Sequence, residues 1–201
     1  MKKLIFVLLI GLLVSMAVFA DHEGLGLGVV LGGGGGLHGG GFNPGLSLKI
    51  PVSPVFWGLY ANIYQPSFYD RYGGFTVTGD MYIFDRNLIS TTAENEEGIY
   101  KVKIDWYLGV GAVFNMNFWR QGLFDKNKDG KVIEDSGVGV GLGFRVPVGL
   151  SWHVVRPFEI ALGLVPVLGL YARNREAFFW WNIDVELAFR YWFIDKKNDA
   201  E

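Results

Sequence analysis

The chain has 201 residues, enough for one domain, and its formal net charge of -2 and lack of a long basic run leave no electrostatic footprint for nucleic acid. Half of its residues are hydrophobic, yet it contains no cysteine, which excludes disulfides and a lipid-anchored N-terminal cysteine together.

Residues 1–20 read as a secretory signal peptide. Lys2 and Lys3 supply a positive start, residues 4–14 an apolar core, and Val18, Phe19 and Ala20 a cleavage site, so the mature protein is expected to begin at Asp21. Beyond Ala20 no uncharged apolar run reaches the ~20 residues that a membrane-spanning helix needs. Residues 160–172 come nearest and are broken by Gly163, Pro166 and Gly169. An exported chain this apolar, with 29 glycines and 16% aromatic residues, fits a closed barrel, where glycines relieve crowding in a narrow lumen and aromatics line the interfaces.

In chain order, Leu25, Leu27, Val29 and Leu31 alternate with Gly24, Gly26 and Gly28, predicting a first strand with a nearly bare inner face. Residues 32–44 are a glycine tract, expected to be the first surface loop. Gly34, Gly36 and Gly39 match G-x-G-x-x-G, but no helix follows whose N-terminus could hold a phosphate, so the match carries no nucleotide chemistry. Leu46, Leu48 and Ile50 mark a second strand, and a proline turn follows at 51–54. Val55, Trp57, Leu59, Ala61 and Ile63 form one row of a third strand. Residues 65–74 read as a surface loop and 75–84 as a fourth strand, with Thr76, Thr78, Asp80 and Tyr82 on its polar side. Residues 85–98 are expected to be a polar connection, unusually long for the periplasmic side.

A fifth strand sets Val102, Ile104, Trp106, Leu108, Val110 and Ala112 outward against Asp105, Tyr107, Gly109 and Gly111. Residues 115–136 form the longest and most charged loop. A sixth strand, 138–152, alternates Val138, Val140, Leu142 and Phe144 with Gly139, Gly141, Gly143 and Arg145, and carries Pro147 on its inner row. After a turn at Arg156 and Pro157 the seventh strand places Glu159, Ala161 and Gly163 inward. Pro166 falls on its outward row, where it should interrupt one ladder bond. Residues 173–179 make the last loop.

The final strand, residues 181–194, has the strictest pattern. Trp181, Ile183, Val185, Leu187, Phe189, Tyr191 and Phe193 form one apolar face, while Asp184, Glu186 and Arg190 share the other. A strand of ~13 residues, apolar on its outside, spans a bilayer as part of a closed barrel. The fold class that follows is all-β: an eight-stranded antiparallel up-and-down transmembrane β-barrel over residues 21–194, with a short charged tail at 195–201. Trp57, Trp106, Trp152, Tyr191 and Phe193 are expected in the periplasmic-side aromatic girdle, and Phe75 and Trp181 in the outer one.

Residues 144–152, followed by Phe158, Glu159, Ile160 and Pro166, resemble the penultimate hairpin of small OmpA-like or OmpX-like outer-membrane barrels. Residues 106–111 resemble their glycine-rich fifth strand, and Phe189, Tyr191 and Phe193 the aromatic signal read by the barrel assembly machinery. The resemblance implies an outer-membrane location in a diderm bacterium and a membrane domain only, the tail being too short for a peptidoglycan-binding domain. Many such barrels have no assigned activity.

The inward rows gather Lys49, Arg145 and Arg190 with Asp80, Asp105, Glu159, Asp184 and Glu186. A lumen of eight strands is just wide enough to be filled by side chains, so these charges must pair across it. They are expected to form a salt-bridge plug, and the rival reading is a gate in which partners exchange around Arg145 or Arg190. In the long loop, Asp125, Asn127, Asp129 and Gly130 reproduce the first half of a calcium loop, but Ser136 stands where a bidentate Glu belongs. A polar turn is the plainer reading, with calcium as the candidate ligand; no other cofactor is implied. His153 beside Ser151 on an inward row offers little for catalysis, so no enzyme is expected.

The expected role is structural or interactive, in membrane integrity or in surface contacts through loops 65–74 and 115–136. One rival is a narrow channel or transporter for ions or small apolar molecules, through an incompletely paired lumen or a lateral opening near Pro166. The other is a soluble periplasmic lipocalin-like barrel, which requires the apolar rows to face inward.

Overall fold

The computed structural model describes residues 24–37, 40–51, 53–63, 71–95, 98–121, 135–155, 157–173 and 176–194. They form β1 (Leu25–Leu37), β2 (Gly40–Lys49), β3 (Val55–Ala61), β4 (Arg71–Asn95), β5 (Gly98–Gln121), β6 (Asp135–Arg145), β7 (Val148–Val155), β8 (Phe158–Arg173) and β9 (Glu176–Ile194). Every neighbouring pair is antiparallel. β1 to β4 pair in sequence, β4 pairs with β5, and β1 closes on β9 with Leu27 opposite Tyr191.

β6 and β7 share the same two neighbours in one unbroken register. Arg145 and Val148 face Gly111 and Leu108 of β5 on one side, and Val167 and Leu164 of β8 on the other. They are two halves of a single stave, parted where Pro147 has no N–H for the ladder. The sheet is thus a closed antiparallel barrel of eight staves, the fold class that the alternation predicts. Pro166 lies directly across, and Val146 N still donates to its carbonyl at 3.0 Å while Pro166 returns nothing. Two neighbouring staves therefore lose ladder bonds at one level.

The two periodic faces fall as a membrane barrel requires. Leu27, Leu46, Leu59, Leu142, Leu162, Leu170 and Phe189 are exposed on the outside, whereas Lys49, Asp80, Asp105, Arg145, Glu159 and Arg190 are buried inside. This arrangement is the reverse of what the lipocalin-like reading needs. Trp57, Trp152, Tyr191 and Phe193 are exposed towards the end that holds residues 24 and 194, here the terminal end; Trp106 is half-buried there. Phe158 and Tyr191 meet edge to face at 5.2 Å.

Glycines on the inward rows give each large inward side chain a seat on the neighbouring stave. A Cβ at Gly28 would collide with Arg190, at Gly111 with Asp80, and at Gly169 with the Trp180 ring. Tyr107 lies over two glycines, its hydroxyl 2.6 Å from an added Cβ at Gly149 or at Gly163. The glycine content is thus a packing requirement of a narrow lumen filled by aromatic and charged residues.

Five expected loops are corrected, wholly or in part. The glycine tract is not a surface loop: residues 32–37 continue β1 and 40–44 begin β2, with Gly34 paired to Gly41 on one side and Asp184 on the other. Ladder hydrogen bonds on both edges hold a backbone that has no side-chain preference of its own, and the bare wall makes room for Asp184 and Asn182 of β9. Residues 85–98 are not an irregular connection. β4 and β5 pair as far as Asn95 and Gly98, whereas β3 ends at Val55 opposite Met81, and β7 reaches β5 only as far as His153 opposite Lys103. This hairpin, with strands of 25 and 24 residues, reads as polar because its far part has no apolar row to maintain. Register shifts between Tyr82 and Phe84 and between Asn87 and Ile89 break its period-two pattern. At the other end, residues 71–74 belong to β4, where a third shift sits beside Gly73 at φ +142°, 115–121 and 135–136 extend β5 and β6, and of the expected loop 173–179 Arg173 ends β8 and residues 176–179 begin β9, paired in register as far as Arg173 and Glu176. Residues 1–20, 195–201 and most of loop 65–74 lie outside the described residues.

Candidate functional site

The lumen is built by strand parity. Every second residue of a stave points inward, so residues distant in the chain meet across a narrow interior. Along β9 the inward row is Trp180, Asn182, Asp184, Glu186, Ala188, Arg190 and Trp192.

Two arginine clusters occupy the middle and the terminal half. Arg145 places Nε 2.9 Å from Asp80 Oδ1, and its NH2 donates to both oxygens of Glu186 at 2.8 and 2.9 Å. One guanidinium therefore ties β6 to β4 and to β9. Arg190 donates to Glu159 Oε1 at 2.8 Å and through Nε to Ser47 Oγ at 3.1 Å, while Trp192 Nε1 donates to the other Glu159 oxygen at 2.7 Å. Arginine suits both positions because its planar fork offers several directed donors at once.

Aromatic rings fill the space between these clusters. Phe56, Tyr82 and Tyr107, from three adjacent staves, stack at 4.4 and 4.6 Å between centroids, and the Arg190 guanidinium lies 5.1 Å from the Phe56 ring. Lys49 also approaches that ring, at 5.5 Å, and its Nζ donates to the carbonyls of Ser53 and Ile50 in the β2–β3 turn. Lys49 thus caps the turn. A small chamber remains beside the stack, lined by Ser47, Tyr60, Thr78, Asp80, Glu186 and Arg190 among others.

Asp105 is separate from both clusters. It sits at the terminal end with Lys103 Nζ at 2.9 Å, Asn87 Nδ2 at 3.1 Å and His153 Nε2 at 3.6 Å. Ser151 pairs in register with Asp105, but its hydroxyl is buried without a hydrogen-bond partner. The hydroxyl-to-imidazole couple that activates a serine nucleophile is therefore not formed.

The half of the lumen nearer the loops has different chemistry. Val113, Val165, Val167, Tyr171 and Trp180 form an apolar cluster in front of β5, β6 and β8. Beside it Asn62 donates to Asn117 at 2.8 Å, Thr76 donates to Asn62 at 2.9 Å, and Asn117 reaches the Tyr171 hydroxyl at 3.5 Å. Asp184 lies here, accepting from Asn182 Nδ2 at 2.6 Å.

Of the eight residues picked from the sequence for the lumen network, Asp80, Arg145 and Glu186 are brought together, as are Glu159 and Arg190. Asp105, Asp184 and Lys49 each stand apart from these groups. Tyr82 and Tyr107 were placed on inward rows but not in the network, and Ser47, Phe56, Tyr60, Asn62, Asn117 and Trp192, which share the parity of the charged residues, could have been added by following the same rows. The calcium candidates Asp125, Asn127 and Asp129 lie outside the described residues.

No protein-family model and no curated protein matches the chain. Among solved structures, the N-terminal β-barrel domain of Pseudomonas aeruginosa OprF is similar, at 10% identity and a TM-score of 0.43, over 83% of this chain and 97% of that one. Neisserial surface protein A is similar at 15% identity and a TM-score of 0.44, over 84% of this chain and 96% of that one.

Proposed function

We propose that the protein spans a bacterial outer membrane as a barrel closed by its own side chains, and serves envelope integrity or surface contact rather than catalysis. The observation that carries this reading is the opposition of the two faces: large apolar side chains are exposed on the outside of the staves, while inside Arg145 bridges the lumen to Asp80 and Glu186 and Arg190 pairs with Glu159. A water-exposed surface of that composition would aggregate, whereas a bilayer accepts it. In the lumen, a guanidinium with several charge-assisted hydrogen bonds is costly to displace, which favours a plug over an open pore. Contacts with assembly machinery through the terminal aromatics, and with external partners through loops 65–74 and 115–136, belong to the same proposal.

A second reading, a narrow channel, is favoured by the chamber beside the aromatic stack, since a polar cavity lined by Asp80, Glu186 and Arg190 is where a path would open. Planar-bilayer recording on the refolded mature barrel separates the two. The plug predicts no sustained conductance in the wild type and appearance of conductance in Arg145→Ala; steady wild-type conductance would establish the channel instead. The boiled-versus-unboiled gel shift of a hydrogen-bonded barrel serves as the control for folding.

A further inference from the structure

The terminal end carries a feature that closure of the barrel does not require. β3 leaves β4 at Met81 and β7 leaves β5 at Lys103, yet β4 and β5 continue as a pair to Asn95 and Gly98. Along residues 84–95, β4 therefore has a backbone edge that no strand covers among the described residues, about 40 Å of it from the rise of an extended chain. Phe84, Leu88 and Ile89 are exposed along this edge. A two-stranded ribbon standing alone in water is only marginally stable, and gains independent stability when a further strand or a helix packs on it.

The near part of the edge is guarded. Register shifts at 82–84 and 87–89 twist it, and the exposed Arg86 lies between them. The far part has no such device. From Ile89 to Asn95 the register with β5 is unbroken, the sequence there holds neither proline nor lysine, and Ile89, Thr91 and Thr92 favour strand neighbours.

Strand direction limits what can cover it. Two copies in one membrane point the same way, so their β4 edges would run parallel, and a two-fold axis would set each residue against itself, which the staggered bonds of a parallel ladder do not allow. A head-to-tail contact with the β5 edge of a second copy is antiparallel, but that edge is free only over residues 98–102 and would leave most of β4 uncovered. Residues 195–201 follow β9, which stands on the opposite side of the barrel from β4. Lipid covers apolar side chains but supplies no row of alternating donors and acceptors, which is what a strand edge presents. An extended polypeptide from another protein supplies that row along its whole length.

We infer that residues 84–95 of β4, and 89–95 above all, are a docking edge for an extended segment of another periplasmic protein, which joins the ribbon as its third strand. This rests on the outer-membrane reading, which sets the terminal end in the periplasm.

The test compares amide hydrogen exchange of the protein in outer membranes of its own cells with that of the mature barrel refolded into vesicles of the same lipids. The edge amides of residues 89–95 are expected to exchange roughly tenfold or more slowly in the native membranes, while those of β8 and β9 exchange alike in both. Ile89→Lys combined with Thr91→Lys should abolish the difference and keep the gel shift. A photoreactive residue in place of Leu88 should form its adduct with a polypeptide other than this chain. Equal exchange in the two preparations would overturn the docking edge, as would an adduct with lipid, with a second copy or with nothing. Should the lysine variant lose the gel shift, the wild-type comparison and the adduct decide between them. Loss of the gel shift in the wild type would instead strike the barrel reading itself.

Discussion

The terminal half of the lumen is closed by arginine–carboxylate clusters and stacked rings, whereas the half nearer the loops is filled by carboxamides, valines and Trp180 around one unmatched carboxylate. Both halves arise from the same strand geometry, so the difference lies in side chains alone. Arg145 ties staves that do not touch through backbone, because its guanidinium reaches across the barrel to β4 and β9, whereas Arg190 pairs with Glu159 directly opposite it on neighbouring β8 and reaches β2 through Ser47. The Asn62–Asn117–Tyr171 chain also links separate staves, but through neutral bonds. Charged cross-links should therefore carry more of the stability, and neutral ones mainly position.

Breaking the charged half should have the largest effect. Arg145→Ala leaves buried Asp80 and half-buried Glu186 without their shared cation and is expected to cost about 3–5 kcal/mol in urea unfolding from lipid vesicles. Next comes the seating of large side chains on glycine: Gly149→Leu drives a side chain into Tyr107 and should cost roughly 1–3 kcal/mol in the same assay. In the neutral half, Asn117→Ala removes the contacts to Asn62 and Tyr171 and should cost about 1 kcal/mol, since hydrogen bonds inside membrane proteins contribute modestly. The smallest change belongs to Lys103→Ala. Its side chain is 39% exposed, so loss of its pair with Asp105 should shift stability by under about 1 kcal/mol. An Asn117 variant as damaging as Arg145→Ala would erase the distinction between the halves.

Much of this was legible in the sequence wherever alternation is strict. The row from Trp181 to Phe193 fixes which face of β9 is turned outward, and with it the inward position of Asp184, Glu186 and Arg190. Besides the strand ends at 71–74, 115–121, 135–136 and 176–179, alternation failed to identify strands in two places, for different physical reasons. In residues 32–37 the glycines carry no side-chain signal, and their strand character comes from neighbours on both edges. In residues 85–95 the register shifts at Ile83 and Leu88 reset the period, and a ribbon paired on one edge only has no reason to keep an apolar row. Pro147 shows the limit at the level of one residue: its place on the inward row was evident, but its parting of a stave into β6 and β7 follows from the missing N–H. Pairing was the least legible feature. Parity places Arg145 and Glu186 inside, but only the register of the whole barrel brings them to 2.8 Å while leaving Asp184 without a cation.

Which face of each stave meets lipid is directly measurable, because the chain has no native cysteine. Single cysteines at Leu162 and Ala161, adjacent residues of β8 on opposite faces, would be labelled with a small fluorophore in the folded barrel and exposed to lipids carrying a quencher on the acyl chain. Strong quenching at position 162 with little at 161, repeated at Phe189 and Ala188 of β9, is the predicted result. Quenching at 161 and 188 instead would turn the barrel inside out and contradict the membrane assignment.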